Sequence, residues 1–207
     1  MLDVKFYSKQ RMRPVRSKLN TPIKLDYAST HREIIEECKR GSRRAQFELY
    51  RLYSRAMYNV CLRMVKNEQD AEDLLQNSFV DVFTKLNTFK YQSSIGAWIK
   101  RIVINNCINF LKRNRVFFEE LDDRIFNITE EITPIRKGLS TEIVQQALFK
   151  LPDGYRVVFS LYMLEGYDHK EIASILGISE ATSKSQYSRA KGKLREILKS
   201  KQNISNF

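Results

Sequence analysis

Residues 167–198 read YDHKEIASILGISEATSKSQYSRAKGKLREIL. An apolar first helix is followed by a three-residue turn at 177–179 and by a basic second helix, which is the pattern of a helix-turn-helix unit. Gly177 permits the sharp bend, and Ser179 is a suitable N-cap for the second helix, which we expect to begin at Glu180. This stretch therefore predicts a helical DNA-binding domain.

The second helix of this motif carries short polar side chains and cations. Such a mixture suits contacts to base edges and phosphates in a major groove. A solvated surface helix on an ordinary helical domain is the alternative, but the turn chemistry, the apolar first helix and the basic second helix agree with one another. The side chains expected at DNA are Lys184, Ser185, Gln186, Ser188, Arg189, Lys191 and Lys193.

The composition indicates a soluble, helical protein with an acidic partner. The chain has 207 residues, a net charge of +12 and a pI of about 9.6, which makes nucleic acid its natural partner. No run approaches the roughly 20 apolar residues of a membrane helix, so we expect no membrane insertion. Three widely spaced cysteines and two histidines fit a reducing cytoplasm, and we expect no metal site or cofactor.

Helical periodicity runs through residues 30–115. Thr30 is the expected N-cap of the first helix, Gly41 closes that helix, and Asn67 marks a fresh start after a long second helix. The third helix begins with an acidic turn, and a polar-aromatic loop separates it from the fourth. The first helix is expected at 30–41, the second from there to about 66, and the third at about 70–86. The loop is expected at 87–94 and the fourth helix at about 95–114.

Residues 139–200 are expected to form a second helical domain. Ser140 or Thr141 caps its first helix, and Pro152-Asp153-Gly154 is expected to stop it. The next helix, at 155–165, leads into the helix-turn-helix motif. Its expected buried residues are Val157, Val158, Leu161, Tyr162 and Leu164.

The remaining segments lack helical periodicity. Residues 1–29 are basic and contain Pro14 and Pro22, which predicts a flexible arm that either contacts DNA or a partner or serves only as a disordered tail. Residues 116–138 are acidic and aperiodic, which predicts a flexible linker between the two domains. Residues 201–207 are expected to form a tail.

Three asparagines lie inside the fourth predicted helix. Asparagine is not favoured in a helix interior, because its side chain competes for backbone hydrogen bonds. Residues that oppose local propensity are better candidates for contact than for scaffolding. We therefore expect Asn105, Asn106 and Asn109 to contact a partner.

Three segments, taken in order, resemble the sigma-70 family, and specifically its extracytoplasmic-function group. Residues 70–83, DAEDLLQNSFVDVF, are similar to the family's core-polymerase-binding helix. Residues 98–106, WIKRIVINN, are similar to its promoter-opening helix. Leu151-Pro152 followed by the helix-turn-helix resembles the domain that reads the −35 promoter element.

The resemblance implies an all-α fold of two small domains, a sigma-2-like bundle at 30–115 and a sigma-4-like helix-turn-helix domain at 139–200, joined by the flexible acidic linker. It also implies a cytoplasmic, non-catalytic subunit that binds core RNA polymerase, recognises −35 and −10 promoter DNA, and helps to open the strands. The family also admits an anti-sigma factor or a recruiting protein as a further partner.

The third predicted helix is the one implied to dock on the polymerase. An acidic, amphipathic helix offers carboxylates and apolar anchors to a basic, apolar partner. Alternatively, the acids complement the helix dipole and the apolar residues fill the core, which we favour for Leu74, Leu75 and Val82. The side chains implied at the polymerase are Asp70, Asp73, Leu74, Gln76, Phe79 and Phe83.

Strand opening requires the capture of a base flipped out of the stack, with polar groups at its edge and apolar walls at its faces. By resemblance, the polar-aromatic loop would hold the −10 base while nearby cations hold the backbone. Trp98 is favoured as a core anchor rather than as a stacking platform. The residues implied at −10 DNA are Phe89, Tyr91, Gln92, Ser93, Ser94, Lys100, Arg101, Asn105, Lys112 and Arg113.

The family's pattern adds Thr182 to the −35 set, near phosphates or flanking bases. The sequence departs from that pattern at Ser183, where the family generally has valine, and at Gln186 and Ser188, where arginine and larger groups are common. Base preference therefore does not carry over, and the few cations at the helix start predict a weaker isolated −35 contact.

Two other classes of function stay open on the sequence. A free-standing helix-turn-helix regulator would use its N-terminal helices for a dimer partner or an effector, and it would bind palindromic sites. An enzyme would need Asp70, Glu72 and Asp73 to hold a metal ion for nucleic-acid hydrolysis. Adjacent acids at the start of one helix do not all converge on one ion, which disfavours the enzyme.

Overall fold

The computed structural model of the chain describes residues 31–114 and 141–204. Within these two ranges every regular element is a helix, and the predicted all-α fold class is confirmed. The described helices divide into two compact units, and the boundary between them falls near the C-terminal end of the helix Ile95–Arg113. Thr30 and the segments predicted to be the arm and the linker lie outside the described residues.

Within residues 31–114, the first unit holds four α-helices and one short 3₁₀ turn. Their bounds are α1 Arg32–Lys39, α2 Arg43–Val65, α3 Glu68–Lys85, the 3₁₀ turn Leu86–Thr88, and α4 Ile95–Arg113. Within residues 141–204, the second unit holds four α-helices, one of which is extended by a π-helical turn. Their bounds are α5 Thr141–Phe149, α6 Asp153–Phe159 with its π-helical turn Ser160–Leu164, α7 His169–Leu176, and α8 Glu180–Ile204.

Local signals set most helix ends in the first unit. The Asn67 side chain accepts a hydrogen bond from the backbone N–H of Asp70 at 3.0 Å, so the predicted fresh start is confirmed, although α3 begins two residues earlier than expected. Gly41 follows α1 with φ of 85°, a left-handed conformation that suits glycine. The N-cap of α1 is His31 rather than Thr30, and it makes no side-chain cap bond.

The core of the first unit is apolar and formed by all four of its helices. α2 packs along α3, and α1 packs against α2. α4 contributes one continuous buried face with four-residue spacing, as expected for a helix against a core. The residues of that face are Ile95, Ile99, Val103, Ile104, Cys107, Ile108 and Leu111.

Asn106 ties α4 to α3 by polar contacts. Its Nδ2 donates to Asp81 Oδ2 at 2.9 Å and to the Oγ of the buried Ser78 at 3.2 Å. The expectation that Asn106 contacts a partner is therefore wrong, because its amide is used inside the unit. Asn105 and Asn109 are exposed, in keeping with the expectation for those two.

The core of the second unit forms where α5 and α6 pack on α8. Its buried members are Ala147, Leu148, Leu151, Phe159, Ala190, Leu194 and Leu198. Two expectations are corrected here. Asp153 and Gly154 lie in the first turn of α6, so only Pro152 separates it from the preceding turn, and Leu164 is exposed at the end of the π-helical turn.

The helix-turn-helix forms as the sequence predicts. Asp168 and Glu171 make a reciprocal capping box at the start of α7, and Gly177 ends that helix with φ of 73°. The Ser179 hydroxyl accepts a hydrogen bond from the backbone N–H of Thr182 at 2.9 Å, which caps α8. α8 continues to Ile204 and therefore overruns the predicted domain end at residue 200.

Candidate promoter and polymerase interfaces

α8 has a buried face and a polar face. Burial recurs every four residues at Gln186, Ala190, Leu194 and Leu198, which packs the helix against its own unit. Most of the residues predicted to contact DNA lie on the other faces. Lys184, Ser188 and Lys193 are exposed, and Ser185, Arg189 and Lys191 are partly exposed.

Two predicted DNA contacts on α8 are buried instead. Thr182 is 7% exposed and Gln186 is 3% exposed. The Thr182 hydroxyl lies 2.8 Å from Ser179 Oγ, so it completes the N-terminal cap of α8. Both residues are corrected to packing positions, because a phosphate contact needs surface that neither of them presents.

Two exposed lysines of α8 are paired with carboxylates of the same helix. Lys184 Nζ lies 2.7 Å from Glu180 Oε1, and Lys193 Nζ lies 3.0 Å from Glu196 Oε2. The bond from Lys184 lowers the pKa of Glu180, which therefore stays ionised. Exposed pairs of this kind contribute little stability. Each lysine could therefore leave its carboxylate and bind a DNA phosphate at little energetic cost.

An aromatic and hydrogen-bonded cluster joins the two helices of the motif. The His169 ring stacks on Tyr162 with centroids 4.4 Å apart, and its Nδ1 lies 2.9 Å from the hydroxyl of the buried Ser183. Tyr187 contacts both rings, and Lys191 lies 5.0 Å above it. The sequence showed only that Ser183 departs from the family pattern, not that its hydroxyl bonds to α7.

In the first unit, the predicted base-binding loop is anchored at both ends. Phe89 is only 4% exposed, and its ring centroid lies 5.4 Å from that of Trp98. Phe89 is therefore corrected from a base contact to an anchor, and Trp98 packs against it as the core interpretation expected. At the other end Ser94 Oγ accepts a hydrogen bond from the backbone N–H of Ala97 at 3.2 Å, which caps α4.

Tyr91, in the middle of the loop, faces α1. Its hydroxyl donates a short hydrogen bond to Glu36 Oε1, and its ring lies 4.7 Å from Lys39 Nζ. Burial and the neighbouring carboxylate raise the pKa of Tyr91 to about 12, while the bond from Tyr91 lowers the pKa of Glu36. Of the polar loop residues predicted to contact DNA, Gln92 is exposed, with Ser93 partly exposed beside it.

α4 presents an exposed polar stripe opposite its buried face. Arg101, Asn105 and Asn109 recur at four-residue spacing and are exposed, and Lys112 and Arg113 continue the stripe at the helix end. Lys100 lies beside it and is partly exposed. The cations predicted to hold the DNA backbone and the predicted Asn105 therefore share one helix surface.

α3 also separates into a core face and an exposed face. Leu74 and Phe79 are 5% and 2% exposed, and the Phe79 ring packs on Tyr50 of α2 with centroids 4.8 Å apart. Leu74 thus follows the core interpretation, and Phe79 is corrected to a core position. The predicted residues left at the surface are Asp73 and Gln76, which are exposed, and Asp70 and Phe83, which are partly exposed.

One exposed apolar residue of α3 escaped the sequence analysis. Val80 is 65% exposed and lies on the same side of the helix as Asp73 and Gln76, seven and four residues earlier. Its exposure depends on the orientation of α3 about its own axis where it packs against α2 and α4. The residue type alone therefore does not show that Val80 lies at the surface. Valine beside a carboxylate and an amide gives this surface an apolar centre with polar neighbours.

In residues 31–114 and 141–204 no three His, Cys, Asp or Glu side chains are grouped so that they could hold a metal ion. In the same ranges no helix is long and apolar enough to cross a membrane.

Family models match both units. The model for sigma-70 region 2 matches residues 49–116, and the model for sigma-70 region 4 matches residues 141–194. The first range covers the exposed faces of α3 and α4 and the loop between them, and the second covers the helix-turn-helix. The fold and these surfaces define the class of the protein as a two-unit, all-helical transcription initiation protein.

Curated relatives place the chain within that class. It is 26% identical over 158 residues to the ECF RNA polymerase sigma factor SigM of Mycobacterium tuberculosis, covering 76% of this chain and 79% of that protein. It is 28% identical over 152 residues to the ECF RNA polymerase sigma factor SigM of Bacillus subtilis, covering 72% and 93%. It is 31% identical over 135 residues to the RNA polymerase sigma factor SigZ of Bacillus subtilis, covering 65% and 76%.

The chain belongs to the extracytoplasmic-function group of the sigma-70 family of RNA polymerase sigma factors. This membership favours the polymerase-dependent interpretation over the free-standing regulator, because region 2 has no place in a regulator that acts without polymerase.

Proposed function

We propose that this protein is a dissociable specificity subunit that binds core RNA polymerase and directs transcription initiation at promoters carrying −35 and −10 elements. The observation that carries the proposal is the capped recognition helix α8, whose surface faces combine Lys184, Ser185, Ser188 and Arg189. Short polar groups and cations at the start of a recognition helix are what direct readout in a major groove requires.

The first unit would act at the other promoter element. Gln92 and Ser93 supply polar groups at the tip of the loop, and the α4 stripe with Arg101 and Asn105 supplies cations and an amide along one surface. Such a surface suits a single strand, whose phosphates need cations and whose unstacked base needs edge contacts. Holding the melted strand would help to nucleate opening.

Core polymerase would bind the exposed face of α3. Asp73, Gln76 and Val80 combine a charge, an amide and an apolar centre, which is the composition of a small docking surface with a polar rim. The protein would act in the cytoplasm and would catalyse no reaction itself. An anti-sigma factor or a recruiting protein is the further partner that the resemblance implies.

Selection of DNA from a randomised library tests the proposal. The library is bound once by the purified chain alone and once by the chain mixed with core RNA polymerase. We expect the complex to enrich two sequence blocks at a fixed spacing, and the chain alone to enrich little, since its −35 contact is weak. Palindromic sites enriched by the chain without polymerase would instead establish the free-standing regulator.

A further inference from the structure

The backbone of Tyr91 is strained. Its φ of 57° is left-handed, a conformation that a bulky aromatic residue rarely adopts and that surrounding contacts must hold in place. A glycine here would adopt this conformation without strain. The contacts of the Tyr91 side chain must therefore offset the cost of the strained backbone. Strain of this kind concentrates at functional sites.

The contacts that hold Tyr91 come from α1, which is far away in sequence. Its hydroxyl donates to Glu36 Oε1, 55 residues earlier, and Lys39 Nζ donates to the same oxygen at 3.1 Å. Arg32 and Lys39 lie over the ring, at 5.4 Å and 4.7 Å from its centroid. The phenol is thus fixed by one charge-assisted hydrogen bond and two cations.

The fixed ring also organises the rest of the loop. The Phe89 ring packs on Tyr91 at 4.8 Å and on Trp98 at 5.4 Å, so a row of three rings extends from α1 to the first turns of α4. Ser94 then fixes the end of the loop by capping α4. Gln92 follows the strained residue directly and remains exposed.

We propose that α1 positions the base-binding loop, with Glu36 and Tyr91 as positioning residues that hold the loop in its binding conformation and do not themselves contact DNA. The proposal rests on the proposed function of the loop. It assigns a role to α1, which precedes the region matched by the family model, and it removes Tyr91 from the expected base contacts.

Promoter opening by the holoenzyme gives the first test. The variants Tyr91→Phe and Glu36→Ala each remove the hydrogen bond between the loop and α1, and the controls Tyr58→Phe and Glu48→Ala remove the same groups from α2. With the promoter fragment enriched by selection, we expect each test variant to slow strand opening about tenfold, the size of one lost charge-assisted bond. Closed-complex affinity and core binding should equal those of the controls.

The double variant separates positioning from direct contact. If Glu36 acts only through Tyr91, then Tyr91→Phe with Glu36→Ala should open the promoter as slowly as either single variant. Slow opening by Tyr91→Phe together with normal opening by Glu36→Ala would show that the hydroxyl touches DNA itself. Normal opening by both variants would show that α1 does not position the loop.

The single tryptophan provides a second test in the free chain, without polymerase. Trp98 ends the row of rings, so loosening Tyr91 should expose it. We expect acrylamide to quench its fluorescence about twofold more efficiently in Tyr91→Phe and Glu36→Ala than in the two controls, with the helix content unchanged. Unchanged quenching would overturn the positioning role, whatever the result of the promoter experiment. Failure of the wild-type chain to open any promoter would instead contradict the proposed function.

Discussion

At the scale of the residue, single polar side chains join the helices of each unit. Asn106 connects α4 to α3, Ser183 connects α8 to α7 through His169, and Tyr91 connects the loop to α1. Each bond is directional, so it fixes one arrangement of two helices that apolar packing would hold less specifically. The surfaces proposed to bind DNA and polymerase lie on the same helices and loop as these bonds.

Replacing Asn106 by alanine should destabilise the first unit. The change removes both bonds to α3 and leaves the hydroxyl of the buried Ser78 without that amide. We expect the free energy of unfolding to fall by about 1–3 kcal/mol, measured by urea denaturation. Asn105→Ala, one residue away on the exposed face, is the matched control and should change it by less than about 0.5 kcal/mol.

The Asn106 bond should also be lost in acid. Its donation to Asp81 is the main cause of the lowered pKa of that carboxyl, followed by Lys85. A lowered folded-state pKa contributes stability above the ordinary aspartate range near about 4 and loses it as the pH falls through the folded value. The stability difference between wild type and Asn106→Ala should therefore shrink below about pH 4, and a constant difference would show that Asp81 is not its partner.

The sequence could mark Asn106 as unusual but not say what it does. Its place in a helix interior against propensity was visible, and so was the same feature in Asn105 and Asn109. The partner Asp81 lies 25 residues away on another helix, and only the rotation of α4 decides which asparagine faces it. Tyr91 was likewise assigned to DNA because nothing local to the loop indicates Glu36.

At the scale of the element, the recognition helix depends on its N-terminal cap. Ser179 accepts from the backbone N–H of Thr182, and the hydroxyls of the two residues lie 2.8 Å apart. This cap determines where the first turn of α8 begins, and therefore where Lys184 and Ser185 stand relative to the turn. A cap at a DNA-binding helix thus contributes to both stability and affinity.

Ser179→Ala should test that coupling. We expect a loss of about 1 kcal/mol in unfolding free energy, as for other serine caps, together with weaker binding of the holoenzyme to −35 duplex DNA. Ser174→Ala, on the exposed side of α7, removes a hydroxyl from the same motif without touching a cap. A stability loss in Ser179→Ala without any loss of DNA affinity would contradict the coupling.

Arg189 on α8 is expected to read bases. Holoenzyme carrying Arg189→Ala should bind the selected −35 sequence about tenfold or more weakly while its binding to scrambled DNA changes little, since a good base contact contributes about 1–3 kcal/mol of discrimination. Competition binding at one fixed salt concentration measures both affinities. An equal loss on both sequences would reassign Arg189 to a phosphate contact.

Helix extents were more predictable from the sequence than helix faces. Asn67, Gly41 and Gly177 act on their immediate neighbours, so the ends that they mark came out within a few residues. Which side of a helix is buried depends on its neighbours in space. For that reason Thr182, Gln186 and Phe79 were assigned to interfaces although the structure buries them, and Val80 was passed over although it is exposed.

At the scale of the whole molecule, excess positive charge sets the general affinity for DNA. The net charge is +12, and the exposed cations of the described residues include those on α8 and at the end of α4. Phosphate contacts release counterions, so binding weakens steeply as salt rises. Sequence discrimination must then come from the few base-facing groups.

Lys193→Ala should separate the general phosphate contribution to DNA affinity from the sequence-specific one. Its side chain is exposed beyond the first turns of α8 and is paired only weakly at the surface with Glu196. We expect the variant to bind all DNA sequences more weakly by a similar factor and to reduce the slope of log affinity against log salt by about 1. A salt titration with selected and scrambled DNA checks both, and a loss confined to the selected sequence would indicate base readout instead.

The central claim is that this chain works by docking on core RNA polymerase through α3, and direct binding of the purified chain to core polymerase tests it. The test variant carries Asp73→Ala and Val80→Ala, which change the exposed face and spare the buried Phe79. The control carries Glu48→Ala and Leu52→Ala, an acid and an exposed aliphatic residue on α2. We expect tight binding by the wild type and the control, and at least a tenfold loss in the test variant. No binding by the wild type would contradict the claim, and equal binding by both variants would contradict the assignment to α3.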